Sequence, residues 1–260
     1  MRPDVLDTSL AFALGLAFGS FLNALVYRVP ISVDLLRRSF CPECGAQIYW
    51  YQNLPLVSYL ALRGRCSTCR QPIPWRYPLV ELLGGVILVS SLWSWGLTVS
   101  AAATALFTYI MLALALIDVD HRILPNVITI PGAVVGFLLS FLDPRVAWYD
   151  SLVGAVAGAG LLYVAAFVYL KTRGREGMGM GDVKMMLLVG AFLGWQGALM
   201  TIFIGSFLGS LVGASFIVFS RKGWEYALPF GTFLAAAAVL VSYRGAEIFA
   251  WYWRTFGVTP

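Results

Sequence analysis

The apolar residues of this chain come in blocks rather than stripes. Segments at roughly 8–27, 79–97, 99–117, 127–142, 151–170, 184–195, 197–219 and 227–243 are near-continuous runs of Leu, Ile, Val, Ala, Phe, Met and Gly. A helix that crosses a bilayer needs about 20 such residues. Inside hydrocarbon its backbone amides must be satisfied within the segment itself. The pattern therefore predicts an all-α polytopic membrane protein with about eight transmembrane helices. Only 12% of the 260 residues are charged, against about 25% in a soluble domain. The sixth segment, "KMMLLVGAFLGW", is short for a span and calls for tilt or shielding by its neighbours. "AEIFAWYW" at 246–253 reads as an interfacial aromatic tail. The first segment follows Asp4 and Asp7 rather than a basic leader, so a retained anchor is expected.

Charge sets an expected orientation. The longest polar stretch, 28–78, carries Arg28, Arg37, Arg38, Arg63, Arg65, Arg70 and Arg76 against Asp34 and Glu43. With that stretch in the cytoplasm, alternation along eight segments also places Arg122, Lys171, Arg173, Arg175, Lys184, Arg221 and Lys222 inside. That is 14 of the 18 Lys and Arg, leaving Arg2, Arg145, Arg244 and Arg254 outside. The bias matches the positive-inside rule. The net charge of +5 is then accounted for by membrane lipid with an anionic cytoplasmic leaflet, and calls for no nucleic acid. The expected organisation is an N-terminal transmembrane anchor at 1–27, a cytoplasmic four-cysteine domain at 28–78 and a transmembrane domain at 79–260.

All four cysteines lie in the polar stretch. Cys41 and Cys44 form one C-x2-C pair, Cys66 and Cys69 another, 21 residues apart. Two such knuckles supply four thiolates, which suit one closed, tetrahedral structural zinc ion. Two disulfides are the alternative, disfavoured in a reducing compartment. Pro42, Gly45 and Gly64 suit the tight turns a knuckle needs. A bound metal would also explain how about 50 residues with a small core hold a fold.

Two carboxylates stand apart from the other acidic residues. Asp118 ends the unbroken apolar run "TALFTYIMLALALI". There it faces the negative end of a helix macrodipole, and a charge at a bilayer centre costs about 2.5–3.5 kcal/mol, less toward the interface. Ionisable residues so placed are functional candidates. Asp182 closes "GMGMGD" at 177–182 and opens the sixth segment. A helix N-cap is its plain reading. Yet Asp118 and Asp182 both fall at the membrane ends of helices on one side, where a fold could pair them. Paired carboxylates cannot both ionise easily, and such a pair can activate water and polarise a peptide carbonyl. Gly177, Gly179 and Gly181 would then let an extended substrate approach. Asp120 rivals Asp118, and residues two apart on a helix do not share a face; spacing alone does not choose. His121, the lone histidine, reads as a solvated neighbour. Asn23, inside the first segment, would bond across helices or line a cleft, and Glu81 would start a helix or join a cytoplasmic site.

These motifs together resemble the type IV prepilin peptidases, of the GxGD aspartic class. "GSFLNALVYRVP" at 19–30, the four-cysteine loop running into "PWRYPLVELL", "IDVDHRILPN" at 117–126, "GMGMGDVK" at 177–184 and "LPFGTFLA" at 228–235 follow the family's order. The resemblance implies Asp118, seven positions before Pro125, and Asp182 as the catalytic acids. It implies prepilin or pseudopilin substrates of a type IV pilus or type II secretion system, cut after a glycine on the cytoplasmic side of a bacterial inner membrane. It further implies methylation of the new N-terminus from S-adenosylmethionine. No Rossmann fingerprint marks a methyl-donor site, so that site is assigned to the cytoplasmic loop by resemblance, with Gly64 and Glu81 as candidates. A peptidase without methyl transfer would lack the four-cysteine loop, as the archaeal preflagellin enzymes do. A proton-coupled carrier would need midplane acids and matching broken helices, and neither is evident.

Overall fold

The computed structural model describes residues 3–35, 37–175, 177–220 and 229–257. Arg2, Arg221, Lys222 and Leu228, used above for charge and for the last motif, lie outside the described residues, as does the start of the eighth segment. The regular elements among the described residues are helices, with two isolated β-bridges in the polar stretch. The helices are α1 (Val5–Arg28), α2 (Val57–Ala61), α3 (Arg76–Trp95), α4 (Val99–His121), α5 (Asn126–Leu139), α6 (Trp148–Arg173), α7 (Met180–Ser220) and α8 (Phe230–Phe256). Among the described residues, six of these are long and apolar enough to cross a membrane: α1, α3, α4, α6, α7 and α8.

Three details depart from the sequence pattern. The sixth and seventh segments are one run of helical residues, α7, broken at Gly194, where φ 69° and ψ −178° leave the helical region. The aromatic tail is the C-terminal part of α8, which carries through it to Phe256. And α5, at 14 residues, is only about 21 Å long at 1.5 Å per residue, short of a span. The first arm of α7, up to Gly194, is equally short. These two short pieces pack on one another: a Cβ on Gly132 or Gly136 of α5 would strike Leu188 or Phe192 of α7. In that arm Val183, Met185, Met186, Leu188, Val189, Ala191 and Phe192 are all buried. A short apolar helix is thus shielded by protein rather than by lipid.

The chain divides into two compact units, residues 1–105 and 106–260. In the first, α1 packs along α3 through glycine. A Cβ on Gly84 would collide with the Gly15 carbonyl, and one on Gly19 would stand 2.7 Å from Glu81 Cα. Asn23 of α1 donates its side-chain amide to the Tyr77 carbonyl of α3 at 3.0 Å, so it does bond across helices. Arg28, buried at the end of α1, donates to the carbonyls of Leu35 and Arg37, both at 2.7 Å. It ties the polar stretch to the helix that precedes it.

In the second unit α6 shows how a lipid-facing helix distributes its side chains. Ser151, Gly154, Ala155, Gly158, Ala159 and Leu162 are buried, at helical spacing. Leu152, Val153, Val156, Leu161, Val164 and Phe167 point outward. Lipid is as apolar as Leu, so what selects the packed face is close approach, and small residues win it. Gly154 lies against Gly190 and Gly194 of α7 backbone to backbone, and Ser151 donates to the Ala191 carbonyl at 2.7 Å. Replacing Gly154 with Leu is therefore expected to abolish accumulation of folded protein. Gly160→Leu, at a position with nothing within 4 Å of a new Cβ, is expected to leave it intact. Detergent-extracted yield and thermal unfolding of both variants check this.

Candidate active site and metal centre

The second unit assembles the two carboxylates. Asp118 sits one turn from the C-terminus of α4, and Asp182 in the first turn of α7. Both side chains are buried, in contrast to Asp120 and His121, which are exposed. They lie within Coulombic reach of one another. Leu124, in the turn after α4, is the packing block between their surroundings. A Cβ on Gly181 would stand 3.0 Å from Leu124 Cβ, and one on Gly231 3.0 Å from both Leu124 Cδ1 and Asp118 Oδ2. The turn itself is tight, with Arg122 at φ 56° and its N–H bonded to the Asp118 carbonyl at 2.9 Å.

Asp182 is not the N-cap of α7. Its backbone N–H bonds to the Gly179 carbonyl at 3.1 Å, three residues back, and the Gly179 N–H faces its carboxylate. That is the return half of a capping box, with the acid at the third helical position. The three glycines before it serve different ends. A side chain at Gly177 would enter the Tyr169 ring, and one at Gly181 would press on Leu124. One at Gly179 would meet only Asp182 Oδ2, at 3.7 Å, and the Gly181 nitrogen, at 3.9 Å. Gly179 alone of the three leaves a new Cβ with no contact closer than 3.7 Å, and that contact is the Asp182 carboxylate itself. Lys184, at the end of the same motif, donates to Asn126 Oδ1 at 2.9 Å and joins α7 to the start of α5.

Thr232 was invisible to pairwise spacing arguments. Its backbone N–H donates to Asp118 Oδ2 at 2.8 Å, and its hydroxyl lies 3.0 Å from the same oxygen. The signal was its place in "LPFGTFLA", a motif that carried no chemistry of its own.

The first unit holds the cysteines. The four Sγ atoms of Cys41, Cys44, Cys66 and Cys69 lie within 4.8 Å of one another, and Cys41 Sγ is 3.9 Å from Cys69 Sγ. Four sulfurs at about 2.3 Å from a tetrahedral ion stand about 3.8 Å apart, so this set could hold a metal. The knuckles match one another: Cys41 N–H bonds to Ala46 O and Cys66 N–H to Gln71 O, while Gly45 N–H and Arg70 N–H return to Cys41 O and Cys66 O. The left-handed position after each second cysteine is Gly45 (φ 69°) in one and Arg70 (φ 62°) in the other. The sequence signals only the first. Backbone N–H groups of Cys69 and Thr68 pull the Cys66 thiol down to about 6. Cys69 goes the other way: against the pull of the Gln71 N–H, burial and the neighbouring sulfurs push it up to about 12. A mixed set of this kind, with one thiol lowered and one raised, suits a cation that binds thiolates and displaces the remaining protons.

A cavity of about 680 Å³ lies beside the knuckles, among the side chains of Asn23, Tyr27, Phe40, Tyr59, Tyr77 and Glu81. Glu81 accepts from the backbone N–H of Leu56 at 2.8 Å. Leu56 adopts φ 60°, a left-handed conformation, and the carboxylate holds that turn from 25 residues away. Gly64, at φ 66°, backs onto the Tyr59 ring, 3.0 Å from a Cβ built there.

Family models match both units. The bacterial peptidase A24 N-terminal domain matches residues 13–95, and the type IV leader peptidase family matches residues 105–214. A prepilin leader peptidase/N-methyltransferase of Pseudomonas putida is 38% identical over 273 residues, covering 96% of this chain and 94% of its own length. One from Pseudomonas aeruginosa is 35% identical, covering 94% and 92%. One from Myxococcus xanthus is 41% identical, covering 78% and 61%. No solved structure matches. This helical membrane chain, with two buried carboxylates in its second unit, belongs to the type IV leader peptidase family.

Purified protein is expected to carry about one tightly held metal ion per chain, the content of a closed four-thiolate site. Cys41→Ser or Cys66→Ser should release it and lower the unfolding temperature. Elemental analysis of reduced protein checks the first, thermal unfolding the second.

Proposed function

We propose that this chain cleaves the basic leader of prepilins or pseudopilins at the cytoplasmic face of a bacterial inner membrane, then methylates the new N-terminal residue from S-adenosylmethionine. Cleavage is supported by one observation above all: two buried carboxylates from separate helix ends converge in the second unit. The relatives named prepilin leader peptidase/N-methyltransferase support both activities.

Asp118 and Asp182 act as a dyad sharing one proton. The ionised partner takes a proton from water, and the water oxygen attacks the scissile carbonyl carbon. The protonated partner hydrogen-bonds the carbonyl oxygen as it gains charge. Collapse of the tetrahedral intermediate breaks the C–N bond and passes a proton to the leaving amine. Gly179 leaves room for an extended substrate strand beside Asp182, and Gly181 lets Leu124 pack behind it. The Lys and Arg bias and the chemistry of a basic leader support the cytoplasmic location.

Methyl transfer is assigned to the cavity of the first unit. Its volume lies within the range of about 300–1,000 Å³ usual for small-molecule sites. Aromatic faces at Tyr27, Phe40, Tyr59 and Tyr77 and the carboxylate of Glu81 suit a sulfonium cation and a purine ring. S-adenosylmethionine supplies an electrophilic methyl group when bound there. Glu81 holds the Leu56 turn at the cavity wall, and Gly64 gives Tyr59 its place. Cys41, Cys44, Cys66 and Cys69 would hold a structural zinc ion, which would fix the loop that forms this wall. In chain order the division is an anchor at 1–27, the zinc-bearing domain at 28–78 and, at 79–260, the region that carries the peptidase acids, whose first helix α3 also contributes Glu81 to the cavity of the first unit.

Incubation with a synthetic prepilin and labelled methyl donor, read by mass spectrometry, tests both steps. Asp118→Asn and Asp182→Asn should abolish cleavage while the protein still inserts, and Asp120→Asn should retain most of it. Asp182→Asn should still methylate a substrate supplied already cleaved. Gly64→Val and Glu81→Leu should lose methylation more than cleavage. Joint loss of both activities in every folded variant would contradict two separate sites.

A further inference from the structure

Thr232 stands at the third position of α8, after Pro229 at the helix start. It is 114 residues from Asp118 in sequence, so no local geometry imposes their contact. Two separate parts of the residue meet the same carboxylate oxygen: the backbone N–H at 2.8 Å from Oδ2 and the hydroxyl at 3.0 Å. The hydroxyl also lies 3.4 Å from the Ala115 carbonyl. It carries one proton, and the shorter contact, to a carboxylate oxygen, is the stronger acceptor. Gly231 permits the approach: a Cβ there would stand 3.0 Å from Oδ2.

We propose that Thr232 is the positioning residue of Asp118. It commits Oδ2 as an acceptor and turns Oδ1 toward the reacting water and Asp182. The proposal rests on Asp118 being one of the two catalytic acids. A backbone N–H can only donate, so while that bond holds, the charged form of Oδ2 is favoured and the proton the dyad shares is disfavoured there. The proton then favours Asp118 Oδ1 or Asp182, the two places from which it can reach a substrate between them. With one oxygen held by two donors, rotation of the carboxylate about its own axis is blocked. The geometry needed for attack is thereby set before substrate arrives.

The test compares Thr232→Val, Thr232→Ser and Asp118→Asn, matched for membrane insertion, in steady-state cleavage of a synthetic prepilin. Valine keeps the shape and the N–H and removes only the hydroxyl. Losing one hydrogen bond to a charged group is expected to lower kcat about tenfold, with KM unchanged. Serine, which restores the hydroxyl, is expected to return kcat to within about twofold of the parent on the same reasoning. Both threonine variants should methylate a precleaved substrate at the parent rate, which separates a positioning role from a fold defect. Three results would overturn the proposal with Asp118 retained: full activity in Thr232→Val, equal loss in the serine and valine variants, or a change in KM alone. An active Asp118→Asn would instead remove the dyad reading itself, and the proposal with it.

Discussion

The carboxylate of Asp118 belongs to the C-terminal end of one helix and is held by the N-terminal end of another. At the end of α4 it meets the negative pole of the macrodipole, an unfavourable place for an anion. At the start of α8 it meets a backbone N–H and a hydroxyl from Thr232. Hydrogen bonds to charged groups are worth about 1.5–3 kcal/mol each, enough to offset a helix-end penalty of about 0.3–1 kcal/mol. The rest of the second unit follows from this arrangement. Leu124 must fold back between Gly181 and Gly231, and α5 must begin at once so that α7 can present Asp182 alongside.

The two short helical pieces, α5 and the first arm of α7, bear on the same requirement. A full span would carry a helix end through the bilayer. Pieces of about 21 Å packed face to face through Gly132 and Gly136 stop short of that, and the arm of α7 is buried by its neighbours while α5 leaves Val127, Val134 and Leu138 exposed. The break at Gly194 that ends the α7 arm is itself buried, and irregular backbone at membrane depth is tolerated within protein. The glycine contacts between α6 and α7 brace this pair from the other side.

Much of this was legible from residues alone. Long apolar blocks fixed the class, because no soluble fold tolerates them. The two C-x2-C pairs announced a four-sulfur cluster, since the knuckle is a local turn. Asp118 and Asp182 stood out because they interrupt apolar runs. What spacing could not settle was decided at long range. Burial, not periodicity, separates Asp118 from Asp120. Thr232 finds Asp118 from 114 residues away, and Glu81 holds Leu56 across 25. Arg70 takes a left-handed conformation in the position Gly45 fills in the other knuckle, because the pattern of turn bonds dictates the backbone and the residue follows. Gly194 was hidden among other glycines of an apolar run, and only its dihedral angles mark the break in α7.

The central claim is that Asp118 and Asp182 form one catalytic unit around a single reacting carbonyl. A prepilin peptide in which a tetrahedral hydroxyl replaces the scissile carbonyl tests it most directly, because that group fits a proton-sharing carboxylate pair and gains nothing from either acid alone. Its affinity should be measured for the parent protein, Asp118→Asn, Asp182→Asn and the double variant. The account predicts that each single substitution weakens binding by about 100-fold and that the double variant is little worse, the non-additive behaviour of groups acting as one. Additive losses, or full affinity in either single variant, would contradict it.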